Sequence, residues 1–453
     1  MNIFDFSDEK DSTKSYPYKV LVYPNITWAK DLNKDSFVIV INNIITNLEK
    51  VRKDIHWTLL LPEKLFIFNR DNIDQIIYSL PTYPNQMRCH FDTVAFLKVL
   101  DWKNNDFDLI YSHLPEHTLQ VKNVIYNTTN LKPAFLGYTH WTEFPEITEY
   151  PMSLIDHNFL GLAETQMCGI NTDAQKALVL KHAAKHFDKS FIEKLNEIVV
   201  PQYLGWEVPD YGKIVKGTKT IVFNHRPHEY KSYPWFLAQM DKLWAIRQDF
   251  RVWVPLAEQC DRDYIDIGMN ATRYEYLSHL GGCIVGVCGK QKYAGWSVSA
   301  TDGMSVGVPY IFADESYYHE LAGTAGLFYK DDAVFISSVT MILDNPHLRL
   351  KYSEESLDRF KESMWSSTIV PFNEMFQSAF DNLTKLKEKT DSYKKIVKYI
   401  KQNKSVSKND ILEHMGWGVR IAFTSYRNML RTEKGIVFTK NRYEYKDVDK
   451  VTD

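Results

Sequence analysis

The segment Thr220–Lys231, TIVFNHRPHEYK, passes from an apolar stretch into a polar loop that carries Arg226 and, five residues later, Lys231. Two cations just beyond a strand can hold a diphosphate, whose charge rises as it departs from a reacting centre. The plain alternative is a solvated basic loop. Further along, Gly295 and Ser297 stand ahead of the run Ala300–Pro309, ATDGMSVGVP. A glycine and a serine before a helix leave backbone N–H groups open to a phosphate, and the helix dipole adds to the attraction. Asp302 lies within that run, where a carboxylate can accept the two hydroxyls of a ribose or can serve as a capping group. Asp261-Arg262-Asp263 has the form of a divalent-ion site for a diphosphate. Its position favours capping of a helix start, which leaves charge neutralisation to Arg226 and Lys231 and calls for no metal.

These residues need a scaffold that brings strand ends together. Apolar runs alternate with longer amphipathic stretches over the first ~380 residues, as in βα units around parallel sheets. One set of expected strands is Tyr18–Tyr23, Trp57–Leu61, Leu109–Tyr111, Ala134–Tyr138 and Phe159–Ala163; a second is Thr220–Phe223, Arg251–Val254, Cys283–Val287, Tyr310–Phe312 and Gly326–Tyr329. Expected helices include Val38–Val51, Phe91–Leu100, Asp173–His186, Pro234–Arg247, Arg273–Leu280, Lys351–Lys361 and Pro371–Lys389. Two alternating sets imply two doubly wound halves. Pro201, Gly205, Pro209 and Gly212 crowd the segment between them and supply hinge chemistry. The expected division is residues 1–205, 206–390 and 391–453.

Length and composition agree with several ordinary globular cores: 453 residues, 44% apolar and 25% charged. The acidic, polar opening MNIFDFSDEKDSTK has no signal-peptide pattern, and no apolar run is long enough to span a bilayer, so a cytoplasmic protein without membrane insertion is expected. Five cysteines without CxxC spacing argue against a disulfide framework or a zinc knuckle.

Charge is uneven. Asp391–Lys450 carries 10 Lys and 4 Arg against 4 Asp and 3 Glu, a net of +7 within a chain of net −3, which leaves the remainder at −10. Helix-like stretches at Ser392–Gln402, Ser407–Met415 and Ala422–Arg431, the second with Ser407 as N-cap, precede two short strands, Ile436–Thr439 and Arg442–Lys446. Three helices followed by a β-ribbon is the order of a winged helix, in which Arg427, Asn428 and Arg431 would face a DNA groove and Lys440, Asn441 and Arg442 would form the wing. A winged helix can also mediate protein contacts, and a Lys-rich helix face can simply be solvated.

The Arg226–Lys231 and Asp302–Pro309 segments together resemble the donor half of GT-B glycosyltransferases, in particular the retaining group 1 branch. That branch shows a strand, an Arg, a Lys five residues later, and then two acidic residues separated by seven others ahead of Met, Gly and Pro. Here Asp302 stands for the usual Glu at the second acidic position, and Ala294 occupies the first. The resemblance covers roughly residues 216–389 by motif and the first half by its alternation. It implies an α/β protein of two Rossmann-like domains, a nucleoside-diphosphate sugar donor (UDP-sugar foremost), no required metal, and retention of configuration, with Ala294 as the departure from the pattern.

In such enzymes the acceptor half supplies a histidine at a strand end near the donor sugar. His113 in YSHLPEH and His140 in GYTHWTEFP are the candidates, with His140 preferred because Trp141 and Glu143 follow it as an acceptor-binding cluster. Asp92 is a further candidate for an acceptor-side base, or an N-cap. A transferase joined to a DNA-binding module resembles bacteriophage enzymes that glycosylate hydroxymethylated pyrimidines, which would make DNA the acceptor and the host cytoplasm the location. The alternatives are a cytosolic transferase of polysaccharide or lipid-linked glycan synthesis, and a non-catalytic DNA-binding sensor of nucleotide sugars.

Overall fold

A computed structural model describes residues 16–24, 26, 32, 36–78, 90–100, 106–129, 131–140, 152–207, 219–269, 272–291, 295–415, 426, 429–430, 433, 436–439 and 442–446. The chain forms two compact units, Met1–Gln377 and Ser378–Asp453.

The first unit holds two parallel sheets. Strands β1 (Tyr18–Tyr23), β2 (Ile55–Leu61), β3 (Ile73–Ile77), β4 (Leu109–Ser112), β5 (Ala134–Thr139), β6 (Met167–Ile170) and β7 (Val199–Pro201) lie in the order β3-β2-β1-β4-β5-β6-β7. Strands β8 (Thr220–Val222), β9 (Arg251–Val254), β10 (Ile265–Ile267), β11 (Val285–Cys288), β12 (Tyr310–Ala313) and β13 (Gly326–Tyr329) follow as β10-β9-β8-β11-β12-β13. Both sheets reverse their winding once, between β1 and β4 and between β8 and β11. The crevice beyond the strand ends at such a point is where doubly wound sheets bind ligands. Central strands are buried throughout: every residue of β4, β5, β11 and β12 is buried, as parallel strands covered by helices on both faces must be. The architecture is that of a GT-B fold with two Rossmann-like halves.

The connecting helices are α1 (Ser36–Val51), α2 (Thr93–Val99), α3 (Pro115–Thr128), α4 (Met152–Ala163), α5 (Asp173–Ala183) and α6 (Lys189–Ile198) in the first half. In the second they are α7 (Tyr233–Ile246), α8 (Arg273–Leu280), α9 (Val298–Ser305), α10 (Ser316–Ala322), α11 (Asp332–Asp344) and α12 (Pro346–Glu362). Their ends follow local chemistry: Thr172, Asp188, Thr272, Asp331 and Asn345 each accept a backbone N–H as N-caps. No described helix is long and apolar enough to cross a membrane.

Several expected elements are corrected. Phe159–Ala163 is the end of α4 and not a strand; the strand is β6, after it. A short apolar run does not distinguish the two states. Phe159, Leu162 and Ala163 nevertheless fall at helical spacing and are all buried. The strand expected at Cys283–Val287 begins at Val285, and β3, β7 and β10 were not foreseen. Asp261-Arg262-Asp263 does not open a helix; it leads into β10, with Arg262 paired to Asp241 and Asp261. The helices expected at Pro371–Lys389 and Ser392–Gln402 are parts of a single α13 (Trp365–Asn403), with Pro371 inside it.

The second unit continues from α13 into β14 (Ser405–Ser407), α14 (Lys408–His414), β15 (Ile436–Thr439) and β16 (Arg442–Tyr445). The three strands form an antiparallel sheet in the order β14-β16-β15. Ser407 caps α14 through a reciprocal pair with Asp410. Ile396, Ile400, Val406, Ile411, Leu412, Leu430, Ile436 and Tyr443 close a small core. Most of the third helix expected at Ala422–Arg431 lies outside the described residues; Tyr426, Met429 and Leu430 are helical.

Candidate functional site

Beyond β8 the chain enters the loop that begins Asn224-His225-Arg226. Arg226 is exposed, whereas Lys231 is drawn inward at the end of a 3-10 turn, Glu229–Lys231. Ser232 follows with φ +60° and donates its hydroxyl to Lys290 O, which ties this loop to the one beyond β11. A Cβ on Gly289 would meet Ser232 Cβ at 2.7 Å, so only glycine lets the two loops approach this way. The Lys231 ammonium donates to Gln291 Oε1, and Gln291 Nε2 in turn reaches Tyr318 Oη at 2.6 Å. Tyr318 donates back to Gly289 O at 2.9 Å. Desolvation pushes the Lys231 ammonium down to about 8, with Arg226 adding to the fall and the neighbouring Cys288 opposing it. His225 Nε2 lies 3.2 Å from Cys288 Sγ, and burial holds that imidazole neutral, down to about 3.

The loop after β11 leads to Gly295, half-buried, and to Ser297, the N-cap of α9. The Ser297 hydroxyl accepts from Ala300 N at 3.2 Å, so what this turn offers a ligand is its backbone N–H groups. Asn224 links the two segments: it donates to Ser299 O at 2.7 Å and accepts from Tyr310 Oη at 3.0 Å. Asp302 is buried inside α9 and does not cap it. Arg273 of α8 holds both carboxylate oxygens, at 2.7 and 3.4 Å. Burial raises the Asp302 carboxyl, and Arg273 works against that rise. Arg226, Lys231, Gly295, Ser297 and Asp302 therefore all lie on the β8, β11 and α9 segments that flank the winding reversal.

In the first half, His113 and His140 follow β4 and β5 directly and lie side by side. His113 Nδ1 is 3.3 Å from His140 Nε2. Desolvation lowers both imidazoles, His140 to about 3. Asn171 donates to the His140 carbonyl at 2.7 Å and accepts from Tyr138 Oη at 2.7 Å; that hydroxyl also reaches Gln202 O at 2.8 Å. The neighbour of Gln202, Tyr203, places its ring 5.6 Å from that of Trp296, between Gly295 and Ser297. A chain of contacts thus runs from His140 to the loop ahead of α9.

Asp92 accepts the Ala95 N–H at 2.9 Å as N-cap of α2, so the capping role expected for it is the one the structure displays. Trp141, Glu143 and Ala294 lie outside the described residues, as do Arg427, Asn428, Arg431 and Lys440. Arg442 is turned onto its own sheet: it donates to the hydroxyl and carbonyl of Ser405 at 3.0 and 3.1 Å and stands 3.7 Å from Asp410. Among the described residues no group of three or more His, Cys, Asp or Glu side chains could hold a metal ion.

Asn224 and His225 stand in the very segment that drew attention to Arg226, and their position directly beyond an apolar strand was the available signal. Gln291, Tyr318 and Arg273 carry no such signal, because each meets its partner across tens of residues.

No protein-family profile matches the chain, and no curated protein matches it in sequence. Solved structures do match in shape. The sucrose-phosphate synthase of Thermosynechococcus elongatus aligns with a TM-score of 0.63 at 10% identity, over 81% of this chain and 100% of that one. Anabaena HepE, solved in complex with UDP and glucose, gives 0.57 at 11% identity, over 80% and 99%. The E. coli trehalose-6-phosphate protein bound with UDP-2-fluoro glucose gives 0.56 at 11%, over 81% and 98%. At these identities the likeness concerns the backbone plan, and this chain shares the GT-B fold of those proteins.

Proposed function

We propose that the chain is a glycosyltransferase that moves a sugar from a nucleoside-diphosphate donor, UDP-sugar foremost, to a hydroxyl acceptor. The observation that carries this reading is the half-buried Lys231 ammonium, held by Gln291 beside Arg226 and facing the segment that leads to α9. A desolvated cation kept in place by a neutral amide retains its charge for a ligand, and a diphosphate is the ligand that gains most from two cations and a helix N-terminus together. In this reading the diphosphate lies against Arg226, Lys231 and the backbone N–H groups near Gly295 and Ser297. The ribose meets Asp302, where it would replace the longer of the two Arg273 contacts. His140 is assigned to the sugar, and Trp141 and Glu143 are assigned to the acceptor. The UDP and UDP-sugar analogue in two proteins of the same fold support the choice of donor. Asp92, committed to its cap, is given no proton to move, and transfer is taken to proceed with retention.

A second reading concerns the acceptor. The second unit follows the order helix, strand, helix, residual helix and β-ribbon, with its sheet ordered β14-β16-β15, and Asp391–Lys450 carries +7. That order and charge suit a winged-helix module on nucleic acid, with a hydroxymethylated base in DNA as acceptor. The names of the structural neighbours favour a small sugar phosphate instead.

The experiment is transfer of labelled sugar from a panel of nucleotide sugars to sugar phosphates, glycans and duplex DNA with cytosine or 5-hydroxymethylcytosine, with and without EDTA. Label on any acceptor supports the enzyme, and the acceptor labelled decides between the readings. Arg226→Ala and Lys231→Ala should each weaken donor binding by ~1.5–3 kcal/mol, the worth of a charge-assisted contact. Unchanged donor affinity in both would remove the diphosphate from this site.

A further inference from the structure

His113 sits at the end of β4, buried to 1% exposure, with its backbone N–H on Tyr23 O at 2.9 Å and its ring between Tyr111 and Tyr138. Its Nδ1 faces His140 Nε2 at 3.3 Å. Its other ring nitrogen, Nε2, is buried with no hydrogen-bond partner among the described residues. A neutral imidazole carries one N–H and one lone pair, so the contact between the two rings has two possible senses. If His140 donates, His113 must keep its proton on Nε2, which then becomes a buried donor with nothing to receive it. If His113 donates from Nδ1, its Nε2 holds only a lone pair. Orphaned buried N–H groups are rarer and costlier than under-used acceptors, so the second sense is the more stable.

The consequence falls on His140. With Nε2 accepting from His113, the neutral His140 ring carries its proton on Nδ1. We propose that His113 is a positioning residue that holds His140 in this Nδ1–H tautomer, so that His140 serves as a hydrogen-bond donor at the reacting sugar and not as a base. The inference rests on the glycosyltransferase reading for its functional part and on the paired rings alone for its tautomer. It assigns His140 a contact that orients a sugar hydroxyl. The proton released by the acceptor must then go elsewhere, to the departing diphosphate held by Arg226 and Lys231. The acceptor O–H bond breaks as the new C–O bond forms, and the phosphate oxygen that leaves the sugar takes up the proton.

The test joins a spectroscopic and a kinetic measurement on the full chain. In ¹⁵N-histidine-labelled protein, the ring ¹⁵N shifts of His140, identified by its loss in His140→Gln, report which nitrogen is protonated. The expected result is Nδ1–H in the unaltered protein and in His113→Asn, whose amide can donate from the place of Nδ1, with a shift toward Nε2–H in His113→Leu. Sugar transfer should fall about 10- to 100-fold in kcat in His113→Leu, the cost of one misdirected hydrogen bond, with donor KM changed little and with most of the rate restored in His113→Asn. An Nε2–H signal for His140 in the unaltered protein overturns the proposal whether or not the leucine variant folds. So does a folded His113→Leu with unchanged tautomer and kcat. If the tautomer is as expected but no donor is ever consumed, the glycosyltransferase reading fails and the pairing of the rings stands.

Discussion

At the residue scale the proposed donor site turns on Lys231. Its ammonium is pressed down to about 8 by desolvation, with Arg226 adding to the effect, so it is charged below that pH and neutral above it. A diphosphate needs the charged form. Donor affinity is therefore expected to be steady below pH 8 and to weaken by up to about tenfold per pH unit above it. Lys231→Arg, always charged, should remove that dependence even if it binds more weakly, because a guanidinium does not reproduce the compact ammonium held by Gln291. Calorimetric titration of UDP across this range in both proteins checks it, and the same slope in both would remove Lys231 from the diphosphate. The five-residue spacing of Arg226 and Lys231 marked these two as candidates in the sequence. Gln291, which holds the ammonium, and Arg273, which takes both oxygens of Asp302, were not. They approach from separate strands and helices, and nothing in their local pattern marks them.

At the element scale, close backbone approach separates what sequence could show from what it could not. The run that became α4 reads as apolar in either state, and it is Gly161 that lets the helix lie so close to its neighbour. A Cβ there would sit 1.7 Å from the carbonyl oxygen of Pro115, on α3. Because the obstruction is backbone, it cannot rotate away, and Gly161→Ala should cost about 3 kcal/mol or more by forcing α3 and α4 apart. The denaturation midpoint against Ala163→Gly, a control on the same helix that adds no atoms, measures it; a loss no larger than the control would mean that the helices are not packed this closely. The caps were more accessible to reading, because they depend on neighbours in sequence. Ser407 is one, with its hydroxyl on Asp410 N and Asp410 on its own N–H. Ser407→Ala should lower the stability of the second unit by about 1 kcal/mol, a change to be followed by amide exchange of Ile411 and Leu412; equal protection in both proteins would deny the cap any weight. Short edge strands such as β3, β7 and β10 escaped notice because three to five residues carry too little alternation to stand out.

At the scale of the whole first unit, alternation along the sequence was enough to foresee two doubly wound halves, since it follows from burying parallel strands beneath helices. How the halves meet was not foreseeable, because it rests on single side chains distant in sequence. Glu320 of α10 is the clearest case. Its carboxylate accepts the N–H groups of Asp173 and Ala174, at 2.6 and 2.9 Å, at the first turn of α5 in the other half. Tyr203 donates to the same carboxylate at 2.6 Å, and burial followed by that carboxylate pushes the Tyr203 phenol up. A negative charge at a helix N-terminus satisfies orphan donors and the helix dipole together. Removing it should therefore loosen the junction more than removing an ordinary surface contact would. Glu320→Ala is expected to speed amide exchange at Asp173 and Ala174 about tenfold or more, the scale of a charge-assisted cap. Glu320→Gln, which keeps an acceptor but loses the charge, should fall between. The Thr172 cap on Gln175 N lies one residue away and is untouched by either change, so exchange at Gln175 should stay near its original rate. If it accelerates as much as its neighbours, α5 is fraying as a whole and the carboxylate is not the clasp; if Asp173 and Ala174 keep their protection in Glu320→Ala, the two halves are held together by other contacts, of which Gln202 on Thr368 O is the next to examine.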